Sequence, residues 1–458
     1  MVKLYVLALL LGSFSPSYGT DVGPDILMRM NEKAAEFMCL SQRGLIENSL
    51  AAISIPNFSS GSNLSVNVLN IVKIQTKNVV IVQISVDFIP QTKGKFTFGA
   101  DLTLEAITSL TTLELKITAQ IMAEVETSKS AKGSPFGTVT ACMPVLGPLQ
   151  LLSPGALSIS LDLVENHLHS IFSGQLCSTI SQFFDKMDGM LESFSAPTAF
   201  GSMAQIQYAL TRAPELTIEN ALLSLNITIS IFGKIMDLHL DPVSISLPAP
   251  SSSASPSLEL ALTENVFVEL YAALQKLEHL DFEITGQTIG DMNRLTTATL
   301  SVAIPQINEL YPVSAAIILK NVVASPPVVT LEADKLTMLL NSSIDIIVKP
   351  LNVDAKSLLV LKVDIPLSIT LKVVHGKLFS TANLIRDFSL RVQTSAVGAV
   401  DVSALQSLVG NTLKYAYLQL LNEALGVGLT LPNLLNVDLT DPTITIYQGF
   451  VLLCFVLQ

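Results

Sequence analysis

The chain has 458 residues and a formal net charge of −12, and 49% of it is hydrophobic against only 14% charged. The negative balance is even, with fourteen Lys/Arg against twenty Asp/Glu in residues 1–250 and twelve against eighteen in 251–458. It therefore offers no basic stripe for nucleic acid and no polybasic patch for anionic lipid. A typical soluble domain is about 25% charged, so this chain has an apolar excess that must go into full cores, a sticky surface or an internal cavity.

Met1-Val-Lys-Leu-Tyr-Val-Leu-Ala-Leu-Leu-Leu-Gly12 sets one positive charge before an apolar run too short to span a bilayer, and Ser17-Tyr-Gly19 supplies small residues for cleavage. Residues 1–19 therefore read as a signal peptide, which predicts a secreted, extracellular protein. The sequons at Asn57, Asn63, Asn226 and Asn341 fit a glycoprotein. From Pro24 to Cys39, Ile26, Leu27, Met30, Ala34, Phe37 and Met38 fall at helical spacing and predict an amphipathic helix starting near the proline.

Strict alternation follows in Val82–Phe88, Phe96–Ala106 and Leu113–Val125. The last run extends roughly 40 Å at the strand rise, which predicts a long, twisted antiparallel sheet with one wet and one dry face. The cover for the dry face is a predicted helix over 161–194, where Val164, Leu168, Phe172, Phe183, Phe184 and Met187 recur at three- and four-residue steps. Periodicity alone leaves open whether the resulting tube is solid or hollow.

Leu247–Ser257 is a run of proline, serine and alanine that reads as an extended tether. Beyond it the plan recurs. Val266, Phe267, Leu270, Ala273 and Leu274 repeat the opening helix with Thr263 as its N-cap. Leu361–Val373 alternates without a miss, with Pro366 marking an edge or a bulge. Residues 402–425 repeat the covering helix, and Phe450–Leu457 is a buried final strand rather than a membrane span. The expected domains are 20–246 and 258–458, joined by the linker at 247–257.

The motifs of catalysis are missing: no Gly-x-Ser-x-Gly, His-Glu-x-x-His, Walker loop, dinucleotide fingerprint or Cys-x-x-Cys is present. His167 and His169 splay apart on a helix, so no metal site is expected, and neither a cofactor nor an enzymatic activity is predicted. Cys142 lies in strand-rich sequence and Cys177 in the covering helix, where a bond would pin helix to sheet in an oxidising compartment. The pairing of Cys39 and Cys454 stays open.

Ile53-Ser-Ile-Pro-Asn-Phe58, the Cys142 and Cys177 pair, Ile206-Gln-Tyr-Ala-Leu210 and Leu429-Thr-Leu-Pro-Asn-Leu434, in this order after a signal peptide, resemble the bactericidal/permeability-increasing protein family, nearest its two-domain epithelial branch. The resemblance implies an α+β boomerang of two twisted antiparallel barrels, each wrapped around a long helix, with a shared central sheet and one apolar lipid pocket per barrel. It also implies a disulfide between Cys142 and Cys177. Candidate pocket residues are Phe172, Phe183 and Phe184 in the first barrel and Leu413, Tyr417 and Leu420 in the second. The cationic tip of the antibacterial members is reduced to Lys93 and Lys95 on an acidic domain, a poor anion trap. The resulting expectation is a secreted lipid binder of innate defence whose partner is phospholipid or another apolar lipid. The alternatives are recognition of bacterial lipopolysaccharide without killing, and a structural glycoprotein with packed barrels.

Overall fold

The computed structural model describes residues 23–56, 65–66, 69–108, 111–152, 161–250, 255–288, 295–385, 388–435 and 437–457. The expected signal peptide at 1–19, the sequons at Asn57 and Asn63, and residues 251–254 of the tether lie outside the described residues.

The first element corrects the sequence reading, because Ile26–Asn31 is a strand (β1) and not the first turns of a helix. Ile26, Met28 and Met30 also satisfy a period of two. The segment is hydrogen-bonded on both sides, pairing Ile26 with Leu225 and with Leu262. Two ladders outweigh the weak tendency of a short segment to start a helix alone. Helix α1 runs from Glu32 to Ser41. Asn31 caps it, with Oδ1 accepting from Ala34 N at 2.9 Å. A second helix, α2 (Arg43–Ala51), follows directly.

Strands Leu69–Ile89 (β2), Lys93–Thr108 (β3), Thr112–Lys129 (β4) and Pro135–Leu146 (β5) form an antiparallel meander. The alternation expected from the sequence holds: Leu113, Leu115, Ile117, Ala119, Ile121, Ala123 and Val125 are all buried. Register shifts between β2 and β3 at Ile71/Lys73, Thr76/Asn78 and Ile81/Gln83 help the sheet to curl. The outer edge of β2 is covered rather than bare. Glu32, Glu36 and Glu47 on α1 and α2 accept from the backbone N–H of Phe88 (2.8 Å), Val86 (3.3 Å) and Ile81 (3.0 Å). Helix α3 (Asp162–Leu191) packs along β5 and buries Val164, Leu168, Phe172, Ile180 and Phe183. A disulfide between Cys142 and Cys177 joins α3 to β5.

Ala204–Leu210 (β6) and Asn220–Ile231 (β7) return the chain to the central sheet. Residues 237–250 have no regular structure, and Ser257–Thr263 (β8) with Glu264–Lys276 (α4) then repeats the β1–α1 unit. Thr263 does occupy the N-cap position, but its hydroxyl donates to the Asp25 carbonyl at 3.0 Å and makes no capping bond.

Ala316–Val323 (β9), Lys335–Lys349 (β10), Lys356–Val374 (β11), Lys377–Leu384 (β12) and Ser389–Ser395 (β13) belong to the second curled sheet. Pro366 lies at neither its outer edge nor a bulge. It sits at the seam where β11 changes partner, from β13 up to Asp364 to β12 from Leu367 onward. No ladder bond is lost there, and the Pro366 carbonyl accepts from Ile385 N at 3.0 Å. The covering segment consists of Val402–Thr412 (α5) and Leu418–Leu425 (α6), joined by a π-helical turn at Leu413–Tyr417.

Thr443–Tyr447 (β14) and Phe450–Val456 (β15) complete the central sheet, in the order β14-β15-β8-β1-β7-β6. Three long strands from each half thus meet at the β8–β1 ladder. Arg29 and Glu259 face each other across that ladder as a buried ion pair, with Nε donating to Oε2 at 2.6 Å. Among the described residues no helix is long and apolar enough to cross a membrane.

Candidate functional site

The two barrels differ where each covering helix meets its sheet. In the first, a cleft of about 170 Å³ lies between the C-terminal half of α3, the barrel strands and the central sheet. Phe96, Val125, Phe184 and Met187 line its barrel side, Met30, Ala35, Met38 and Cys39 line it from β1 and α1, and Leu216, Ala221 and Leu223 line it from the central-sheet side. Leu434 and Leu435, from the far end of the chain, complete the lining. Ala35 and Ala221 present only methyl groups to the cleft, while Gly94 and Gly137 lie close under Phe96 and Val125, where an added Cβ would come within 3.1 and 3.0 Å of those side chains. Phe184 is held edge-on against Phe96 at 5.0 Å and Phe183 at 5.3 Å, so the aromatic side is preorganised.

Few polar groups reach this cleft. Burial, with Glu36 adding to it, pushes the Cys39 thiol up to about 12. Cys39 therefore stays protonated and acts as a small apolar side chain rather than a nucleophile. Asp188 sits at the border of the cleft, with Oδ1 accepting from Gly137 N at 3.0 Å. Its Oδ2 is buried and has no hydrogen-bond partner among the described residues. Desolvation raises the Asp188 carboxyl to about 6, against the lowering effect of the Gly137 N–H and with a further push from Asp185.

Between the second covering segment and its own curled sheet there is far less room. A gap of about 10 Å³ remains between Ile344, Ile346, Leu408, Leu413 and Tyr417, room for one water at most. The π-helical turn carries Tyr417 into the interior, where its fully buried ring meets Phe282 edge-on at 5.5 Å. The surroundings are also more polar, because Asn321 and Ser342 are buried in the same barrel. Burial pushes the Tyr417 hydroxyl above the ordinary phenol value, while Ser342 and Asn321 pull it back.

Of the residues expected to form pockets, Phe184 lines the first cleft, while Phe172 and Phe183 are buried in the core outside its lining. Leu413 and Tyr417 border the small gap, and Leu420 is half-buried against the core outside it. Cys39 and Cys454 are free thiols. Asn226 on β7 and Asn341 on β10 are half-buried strand residues. Lys93 and Lys95 lie opposite Glu126 and Glu124 across the β3–β4 ladder, and Asp87 faces Lys95 from β2. His169 Nε2 lies 3.2 Å from the Gly147 carbonyl, and among the described residues no cluster of His, Cys, Asp and Glu could hold a metal. A third, open hollow of about 330 Å³ beside the central sheet is lined by Asp25, Asp237 and Glu269. Burial first, then Asp25 and Asp237, raise the Glu269 carboxyl to about 7.

Sequence reasoning missed Met30, Ala35, Cys39, Asp188 and the Leu434–Leu435 contribution. Only the Leu429–Leu434 motif offered a signal, since the other positions meet through long-range contacts that leave no period.

The family model described as "LBP / BPI / CETP family, C-terminal domain" matches residues 198–455, and the N-terminal domain model of the same family matches residues 38–190. BPI fold-containing family B member 2 of Homo sapiens is 26% identical over 450 residues, covering 98% of this chain and 97% of that one. Protein TENP of Gallus gallus is 26% identical over 279 residues, covering 61% of each chain. The crystal structure of lipopolysaccharide binding protein superposes with a TM-score of 0.59 at 17% identity, covering 95% of this chain and 100% of that one. That likeness concerns the fold.

Proposed function

The chain belongs to the LBP/BPI/CETP family, and from that membership we propose that it is a secreted, non-enzymatic lipid-binding protein of innate defence that holds an acyl chain in the cleft of its first barrel. The single observation that carries this reading is the cleft of about 170 Å³ with an almost wholly apolar lining. A cavity of roughly 150 Å³ accepts one benzene-sized ring, so the space suits on the order of six methylenes. At about 0.8 kcal/mol each, these contribute about 5 kcal/mol. That is enough to retain a single chain weakly and too little to enclose a two-tailed phospholipid, whose remaining length would follow the open side of the cleft.

The division into 20–246 and 258–458 around the tether belongs to the same proposal, as do glycans at Asn57, Asn63, Asn226 and Asn341. The filled gap of about 10 Å³ favours a second, structural reading for the C-terminal barrel, which holds its half of the central sheet without a ligand. Recognition of lipopolysaccharide draws no support from Lys93 and Lys95, whose facing acidic residues cancel the field an anion would need.

Organic extraction and mass spectrometry of the natively purified protein test the proposal. An apolar chain in roughly equimolar amount is expected, and Lys93→Glu with Lys95→Glu should leave it in place. Protein that carries no lipid and takes up no decyl probe overturns the reading.

A further inference from the structure

The first-barrel cleft is built almost entirely by the first half of the chain. Among the described residues that line it, only Leu434 and Leu435 lie beyond Leu223, and they reach it from the second half. Leu434 is buried and Leu435 is half-buried against the core. The loop that carries them is anchored on either side. Tyr208 Oη on β6 donates to the Thr430 carbonyl at 2.5 Å, Leu431 N donates to the Gly376 carbonyl at 2.9 Å, and Gly376 N donates to the Leu439 carbonyl at 3.0 Å. Asn433 closes the loop on itself, with Nδ2 donating to the Val437 carbonyl at 2.6 Å and Oδ1 accepting from Val437 N at 3.1 Å. Among the described residues no hydrogen bond ties Leu434 or Leu435 to the first half, so they meet the cleft through apolar contact alone. Leu435 is also strained. Its φ of +56° lies in the left-handed region, which a leucine disfavours and which persists only where the surroundings impose it. Among the described residues other than glycine, the only apolar side chains at positive φ are those of Leu435 and Phe232, and Phe232 stands in a hairpin turn beside Gly233. Withdrawal of the loop would release the strain at Leu435 and offset part of the lost apolar contact, which lowers the cost of opening.

We propose that Leu434 and Leu435 form a gate that the second half holds over the first-barrel cleft, and that an acyl chain enters and leaves when this loop withdraws. This rests on the reading of the cleft as an acyl site and adds how that site is controlled. The second half, whose own gap has room for one water at most, then takes part in binding by setting the rate of exchange rather than by supplying a pocket. A gate and a fixed wall differ in kinetics. Loosening a wall weakens binding through faster release, whereas loosening a gate raises the association and dissociation rates together and leaves the dissociation constant nearly unchanged.

The native thiols supply the readout. Cys39 is buried in the cleft lining, so its alkylation by N-ethylmaleimide follows opening, while the half-buried Cys454 on β15 serves as the control in the same chain. Full-length protein is alkylated with and without decan-1-ol and mapped by peptide mass, and exchange of a dansyl-labelled decyl probe is followed by stopped flow. Asn433 does not line the cleft. Asn433→Ala removes both loop-closing bonds and should accelerate Cys39 alkylation and both probe rates about tenfold, with the dissociation constant kept within about threefold and Cys454 alkylation unchanged. Leu435→Gly adopts the same φ without strain and lacks the side chain. It should accelerate Cys39 alkylation about tenfold, matching the half-burial of one leucine, and it serves if Asn433→Ala fails to fold. Unchanged Cys39 alkylation and probe rates in both variants, with decan-1-ol still protecting Cys39, overturn the gate and leave the acyl site standing. A change confined to the release rate in Asn433→Ala does the same, because it marks a fixed wall. Failure of decan-1-ol to slow Cys39 alkylation in any of the proteins removes the acyl site and this inference together.

Discussion

The two barrels share a plan, a β1–α1 or β8–α4 unit followed by a curled sheet and a covering helix, yet among the described residues the cleft beside α3 holds about 170 Å³ and the gap beside α5 only about 10 Å³. The difference lies in a few side chains. Around the first cleft, Ala35 and Ala221 offer only methyl groups, whereas in the second barrel Tyr417 borders the small gap and its ring packs edge-on against Phe282. A π-helical turn makes that closure possible, because the extra residue rotates Leu413–Tyr417 relative to a regular helix. Hydrophobic pattern therefore sets the architecture, while the volume of a few residues sets whether the architecture is hollow.

The sharpest way to break this contrast is to hollow the second barrel. Tyr417→Ala should destabilise the protein by about 4 kcal/mol in denaturant unfolding and should create an apolar space that binds benzene or xenon. Unchanged stability would mean that Tyr417 does not fill the interior. Loosening the first barrel comes next. The bond between Cys142 and Cys177 closes a loop with a sequence separation of 35 residues, and Cys142→Ser with Cys177→Ser should cost about 3 kcal/mol. Hydrogen exchange should accelerate in β4, β5 and α3 and stay unchanged in β9–β12.

Smaller in stability, but decisive for binding, is Ala35→Phe. This half-buried position on α1 faces the cleft, so the larger ring should change unfolding by no more than about 1 kcal/mol while abolishing decan-1-ol binding. The weakest effect is on pH dependence. Asp188 and Glu269 have carboxyls raised to about 6 and about 7, chiefly by burial. Raised acids favour the folded state while protonated, so their contribution is complete below the unfolded carboxylate values near pH 4 and is lost as pH rises through 6 to 7. Wild-type protein should therefore unfold more easily at pH 8 than at pH 5. Glu269→Gln should flatten that slope at the central sheet, and Asp188→Asn should flatten it at the first barrel.

Much of the fold was legible in residue patterns. Leu113–Val125 and Leu361–Val373 alternate because one face is wet and the other dry, and the spacing of Val164, Leu168, Phe172 and Phe183 marks the covering helix. The opening segment was misread because Ile26, Met28 and Met30 fit both periods, and only the partners supplied by β7 and β8 decide between them. The candidate site was hardly legible at all. Its lining comes from β1, α1, the end of α3 and Leu434–Leu435, and nothing local distinguishes a phenylalanine beside a space, such as Phe184, from one in a filled core, such as Phe183. Tyr417 lay in a regular helical pattern, and the π-helical turn that buries it has no sequence period of its own.

The most direct measurement is photo-crosslinking of the full-length protein with a diazirine-bearing fatty alcohol, followed by peptide mapping. Adducts are expected on peptides containing Met30–Cys39, Phe184–Leu191 and Leu434–Leu435, competed away by unlabelled decan-1-ol, with none on Leu408–Tyr417. Competed labelling of Leu408–Tyr417, or its absence from the first-barrel peptides, would contradict the assignment of the ligand to the first barrel alone.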